Sequence, residues 1–192
     1  CLTVCLAVFT SRSWNESGGQ ASVDTHSSIR RDPTMLILAT GLPLLVFAQI
    51  LIGATMRHTG AGLAIPDFPL VFGGLVPPTW SFGITIHFVH RLGAVVTTLV
   101  ILAALGHLLA HHRTRHDLLR PAGSLVLLVM VQVGLGGWTV LSQRAPLVNT
   151  AHVTTGALVL AAALVLGLRV NRHRFPDASP LGLSAPATRA TT

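Results

Sequence analysis

Four long apolar runs, at residues 35–55, 83–109, 121–141 and 147–170, constrain this chain more than any other feature. The run from Met35 to Thr55 holds no charged side chain. At about 1.5 Å per helical residue it reaches roughly 31 Å, enough to cross a hydrocarbon core of about 30 Å. In such a core every backbone N–H and C=O must be paired within the segment, so runs of this length fold as helices. Composition agrees: 51% of residues are hydrophobic and only 10% charged, where a soluble domain carries about 25% charged residues. The expected fold class is all-α integral membrane, an antiparallel four-helix transmembrane bundle over residues 35–170.

The segments between the runs set the orientation. The formal charge is +7, and every basic residue is an arginine. Arg12, Arg30, Arg31, Arg113, Arg115, Arg120, Arg172, Arg174 and Arg189 fall on one side of an alternating topology, with Arg57 and Arg144 on the other. Nine against two places the linker, the 110–120 turn and the tail in the cytoplasm and the loop 56–82 outside. The expected setting is a multi-pass membrane protein with this orientation. Arginines confined to short segments between apolar runs speak for a lipid partner and against nucleic acid.

The ends differ from the bundle. Cys1 to Phe9 is apolar but lacks the basic start of a signal peptide. Residues 1–14 are therefore expected to be the end of a preceding transmembrane helix, and the sequence a piece of a longer protein. Residues 15–34 are polar and read as a cytoplasmic linker; 171–192 read as a disordered tail. Cys1 and Cys5 form neither a disulfide framework nor a zinc pattern. Glycines and four prolines exclude regular helix from most of 56–82, where Trp80 suits an interfacial anchor.

Ten histidines are many for a membrane chain. His111, His112 and His116 belong to a basic turn and are expected to be solvated, as are His26 and His173; His107 lies near a span end and reaches the interface. His87, His90 and His152 lie inside spans, where a polar ring must find a partner. Counted at about 1.5 Å per residue, His90 and His152 both lie some 8 to 10 Å below the outer surface. Matched depth on two parallel helices suits a six-coordinate haem iron, one imidazole on each side of the macrocycle. It equally suits a buried pair satisfied by carbonyls or by hydroxyls such as those of Thr154 and Thr155. Arg91 stands where haem propionates could pair with it. His87, three residues before His90, shares nearly its helix face and is open to three roles: alternative ligand, hydrogen-bond donor behind a ligand, or proton handling. Gly93, Gly134, Gly136, Gly137 and Gly156 fit both a flat cofactor and close helix packing; Gln49 and Gln132 fit packing.

The stretches GATMRHTGAGLAIPDFP, HFVHRLGA, QVGLGGWTVL and VNTAHVTTGALVLA stand in this order on successive spans. Together, over residues 35–170, they resemble the heme A synthase family of cytochrome oxidase assembly. The resemblance implies two similar four-helix halves, each with a histidine pair on its second and fourth helices. One half handles heme O; the other holds a b-type haem. The family oxidises a methyl group of heme O to the formyl group of heme A. His90 and His152 match one such pair. Where the substrate half carries a glutamate three residues before the first histidine, this sequence has His87, which argues for the C-terminal, cofactor-type half of an eight-helix pseudo-repeat. Relatives often have a cysteine pair in the outer loop; this loop has none.

The resemblance thus implies an oxidoreductase of heme A biosynthesis, with haem b held by His90 and His152 and with Arg91 and Arg57 toward the propionates. No catalytic residue is expected in this half, apart from the proton-handling role open to His87. The implied partners are heme O and heme A, the remaining half of the protein, lipid, heme O synthase, and a quinone or other electron acceptor. Two other classes share these residues: a membrane cytochrome b passing electrons to a quinone, and a haem-free assembly or transport bundle.

Overall fold

Asp32 starts the first full-length helix. Its backbone is extended, its carboxylate accepts the Met35 N–H at 3.0 Å, and Pro33 takes the first helical position, where a missing N–H costs nothing. The protein is seen in a computed structural model describing residues 2–11 and 32–172. Among these residues the α-helices are α1 (Leu2–Phe9), α2 (Pro33–His58), α3 (Phe82–His111), α4 (His116–Leu141) and α5 (Pro146–Val170), with a 3₁₀ turn at Ala61–Leu63. Helices α2 to α5 are each long and apolar enough to cross a membrane. The expected linker, apart from Asp32 to Thr34, and the tail from His173 onward lie outside the described residues, as do His26, Arg12, Arg30, Arg31, Arg174 and Arg189.

Short connections at 112–115 and 142–145 make successive spans antiparallel. Helix α2 packs on α3 and α5, and α4 packs on α3 and α5, closing a four-helix ring; α1 lies against α5. Leu44, Leu51, Leu99, Leu127 and Leu158 point outward, as lipid-facing positions should. The fully buried Met35, Leu42, Ile101, Leu108, Leu118, Leu125 and Leu166 all come from the parts of the helices nearest the arginine-rich connections. One end of the bundle is thus a close-packed apolar core. The other end holds His87, His90, Arg91 and His152.

Two prolines inside helices shape the core. Pro121 cannot donate to the Asp117 carbonyl one turn earlier, and Arg169 of α5 donates to that carbonyl instead, at 2.7 Å. This contact lets α4 begin at His116, ahead of the Pro121 start expected from the apolar run. Pro43 likewise leaves the Ala39 carbonyl without its helical donor. Gly167 passes so close there that a Cβ on it would lie 2.8 Å from the Ala39 oxygen.

Candidate functional site

In the half of the bundle nearest the 59–81 loop, His90 of α3 and His152 of α5 face each other. Their ring centroids are 6.5 Å apart and their planes meet at 76°. Two metal–nitrogen bonds of about 2 Å plus two ring radii of about 1 Å give roughly 6 Å for imidazoles on opposite sides of one metal ion. The spacing therefore matches an axial pair.

Each ring is gripped by a glutamine from the neighbouring helix. Gln49 of α2 places its amide nitrogen 3.1 Å from His90 Nδ1 and donates to the His90 carbonyl at 2.7 Å. On α4, the Gln132 carbonyl lies 3.2 Å from His152 Nδ1, and the amide nitrogen 3.4 Å from His152 Nε2. With Nδ1 as the donor to that carbonyl, the lone pair of His152 resides on Nε2, the nitrogen a metal would take. Gln49 Oε1 and Gln132 Oε1 are buried without a hydrogen-bond partner, so both amides hold acceptor capacity in reserve.

Glycines make room for these contacts. A Cβ on Gly53 would lie 2.8 Å from His90 Cε1, and one on Gly136 would lie 3.1 Å from His152 Cε1. Gly93 faces Gln49 more closely still, and a Cβ on Gly156 would lie 3.1 Å from Gln132 Nε2. Gln49 and Gly53 on α2 stand four residues apart, as do Gln132 and Gly136 on α4. The two helix pairs thus repeat one device: a glutamine and a glycine, a turn apart, supporting a histidine on the next helix. The donor chemistry of two imidazoles and their ring spacing fit a haem iron held between His90 and His152.

The remaining site residues cluster under the loop. His87 is 2% exposed. Its Nδ1 faces the Ile65 N–H at 3.2 Å and its Nε2 faces Arg91 Nε–H at 3.1 Å; a neutral imidazole accepts at only one of these. Arg91 also donates to the carbonyls of Leu70, Ile65 and Asp67 at 2.8, 3.1 and 2.7 Å, and lies over the Phe68 ring. Four of its five N–H hydrogens are therefore spent on the loop and His87, leaving one on Nη1. Arg57 is exposed in the last turn of α2. Thr154 bonds back to the Thr150 carbonyl, so its hydroxyl is not what holds His152.

The loop carries its own turn. Asp67 accepts the N–H groups of Phe72 and Gly73 at 2.9 and 2.8 Å. Both residues have positive φ, at 53° and 76°, between the mutually bonded Val71 and Gly74. The Gly73 and Phe72 amides hold the Asp67 carboxyl below the usual carboxylate range.

At the opposite end the structure departs from expectation. His111 and His116 are exposed, as foreseen, but the His112 side chain is only 9% exposed and lies 2.8 Å from Asp32. His112 leaves helical geometry as the cap of α3, which turns its ring inward. His107 meets the same carboxylate at 2.6 Å. The sequence signal was an aspartate before a proline at a helix start, which reads as a cap and gives no hint of two imidazoles.

A family model described as cytochrome oxidase assembly protein matches residues 1–165. A heme A synthase from Chelativorans sp. (strain BNC1) is 34% identical over 189 residues, which cover 92% of this chain and 49% of that protein. The heme A synthase of Geobacillus kaustophilus (strain HTA426) is 30% identical, with 84% and 52% covered. That of Methylobacterium nodulans is 31% identical, with 85% and 48% covered. The chain spans about half the length of the curated relatives it matches.

Proposed function

The chain belongs to the family of cytochrome oxidase assembly proteins that includes the heme A synthases, and on that premise we propose that it is the haem b-holding half of a membrane oxidoreductase of heme A biosynthesis. The enzyme as a whole would convert the methyl group of heme O to the formyl group of heme A. The observation that carries this reading is the opposition of His90 and His152 at 6.5 Å.

In this half the work of the protein is binding and orientation. His90 and His152 would hold the haem iron between them. The Gln132 carbonyl, taking the Nδ1 hydrogen of His152, leaves the ring lone pair on Nε2, where the Gln132 amide now sits 3.4 Å away and would give way to the iron. The Gln49 amide fixes the His90 ring, and Gly53 and Gly136 let both rings lie against their neighbouring helices. Arg57 and the Arg91 guanidinium, with its remaining Nη1 hydrogen, would supply positive charge for the propionates, which would lower the cost of burying those carboxylates. His87 holds the Arg91 guanidinium in place. A bound b-type haem supplies one-electron redox chemistry, tuned by its ligands and by burial.

Deleting the gene is expected to abolish heme A while heme O persists, and the purified chain alone is expected to bind haem without forming heme A. Unchanged heme A in the deletion strain would point to a plain electron-carrying cytochrome b. Heme A formed by the isolated chain would overturn the assignment of the oxidation step elsewhere.

A further inference from the structure

Asp32, His107 and His112 converge at the arginine-rich end of the bundle, remote from the histidine pair. His107 Nε2 and His112 Nε2 both meet one carboxylate oxygen, Asp32 Oδ2, at 2.6 and 2.8 Å. The carboxylate comes from the residue before α2, and the imidazoles come from His107, one turn before the end of α3, and from its cap His112. One potential ligand atom from each residue lies within 4.8 Å of the other two. The side chains of Asp32, His107 and His112 are 15%, 19% and 9% exposed.

This cluster is held in place from behind. Asp32 Oδ1 accepts the Met35 N–H at 3.0 Å, which fixes the plane of the carboxylate. The His107 ring stacks on His111 with centroids 4.5 Å apart. Burial pushes the Asp32 carboxyl up, but hydrogen bonds from His112, the Met35 N–H and His107 outweigh it and hold the group well below the usual carboxylate range. It is an anion at neutral pH, as a ligand must be.

We propose that Asp32, His107 and His112 form a site for a divalent transition-metal ion, zinc foremost. Two imidazoles with one carboxylate favour zinc and its neighbours over magnesium or calcium, which take oxygen ligands. The ion takes the place of the two N–H hydrogens that now point at Asp32, with the imidazoles in their Nδ1–H form. Bonds of about 2.0–2.2 Å set tetrahedral ligand atoms roughly 3.3 Å apart. The present N···O distances therefore open by little more than about half an ångström. Three protein ligands leave a fourth position for water. An ion at this point ties the start of α2 to the end of α3.

The test is titration of the purified, chelator-treated, haem-loaded chain in detergent with Co²⁺ alone, followed by Zn²⁺ displacement. The expected result is one saturable equivalent with the intense visible bands of low-coordinate cobalt, abolished by zinc. Asp32→Asn and His112→Ala are expected to weaken binding by at least about 10-fold, the loss that even an outer partner's removal causes. His58→Ala, at the other end of α2, leaves it unchanged. No saturable equivalent in the intact chain, or the same affinity in folded Asp32→Asn and His112→Ala, overturns the proposal and makes the cluster a brace of two histidines on a carboxylate. The intact chain's cobalt spectrum decides the matter even if a variant fails to fold.

Discussion

Gln132 meets His152 through both its backbone and its side chain, the carbonyl 3.2 Å from Nδ1 and the amide nitrogen 3.4 Å from Nε2. Gln49 holds His90 through its side chain alone. The two glutamines should therefore differ in cost. Gln49→Leu removes both hydrogen bonds that Gln49 makes to His90 and is expected to weaken haem binding about 10- to 100-fold, as loss of a ligand's outer partner does. Gln132→Leu keeps the backbone carbonyl and should weaken it less. Haem titration of the two variants checks the order; equal affinities would contradict it.

Gly53 and Gly106 are both helical glycines and should respond oppositely to a methyl group. A Cβ on Gly53 meets the His90 ring at 2.8 Å, whereas one on Gly106 meets nothing within 4 Å. Gly106→Ala should be neutral or stabilising by up to about 1 kcal/mol, the helix-propensity difference. Gly53→Ala should displace His90 and shift or abolish the haem spectrum. Thermal unfolding and visible absorption of the two variants test the contrast.

Arg91 connects the spans to the loop through three carbonyls and His87. A lysine keeps the charge but cannot reproduce the planar fork. Arg91→Lys is therefore expected to speed amide hydrogen exchange at Ile65 and at residues 67–74, with a smaller change in haem affinity. If exchange in the loop is unchanged and only haem binding falls, the guanidinium serves the cofactor and not the loop.

Asp67 holds a turn in which Phe72 occupies the left-handed region. The Gly73 and Phe72 N–H groups depress its folded-state pKa, so its contribution is present above the unfolded value of about 3.9 and is lost as pH falls through the lower folded value. The Phe72 and Gly73 amide resonances should titrate with a midpoint below about 3.9, the ordinary aspartate value, and the turn should stay closed at neutral pH. A midpoint at or above that value would contradict the hydrogen-bonded geometry.

The four spans were legible because length and apolarity alone decide them: the run at 147–170 falls within a residue of helix α5, Pro146–Val170. The facing of His90 and His152 followed from their matched depth. The start of α4 was not legible, because a proline at 121 looks like a beginning until Arg169 is seen to satisfy the carbonyl it frees. The Asp32 cluster was hidden for a related reason. Helix periodicity does not bring together residues five apart, and only the non-helical cap at His112 does so. Gln49 and Gln132 looked like packing residues because their role depends on which helices are neighbours, which no single span encodes.

On the reading proposed above, His90 and His152 bind one haem iron between them. A reduced-minus-oxidised visible spectrum of the purified chain, beside His90→Ala and His152→Ala, tests it most directly. A low-spin b-type spectrum is expected in the intact chain, lost or converted to a high-spin form in each variant. A folded, haem-supplied chain that stays colourless, or variants that keep the unaltered low-spin spectrum, would contradict it.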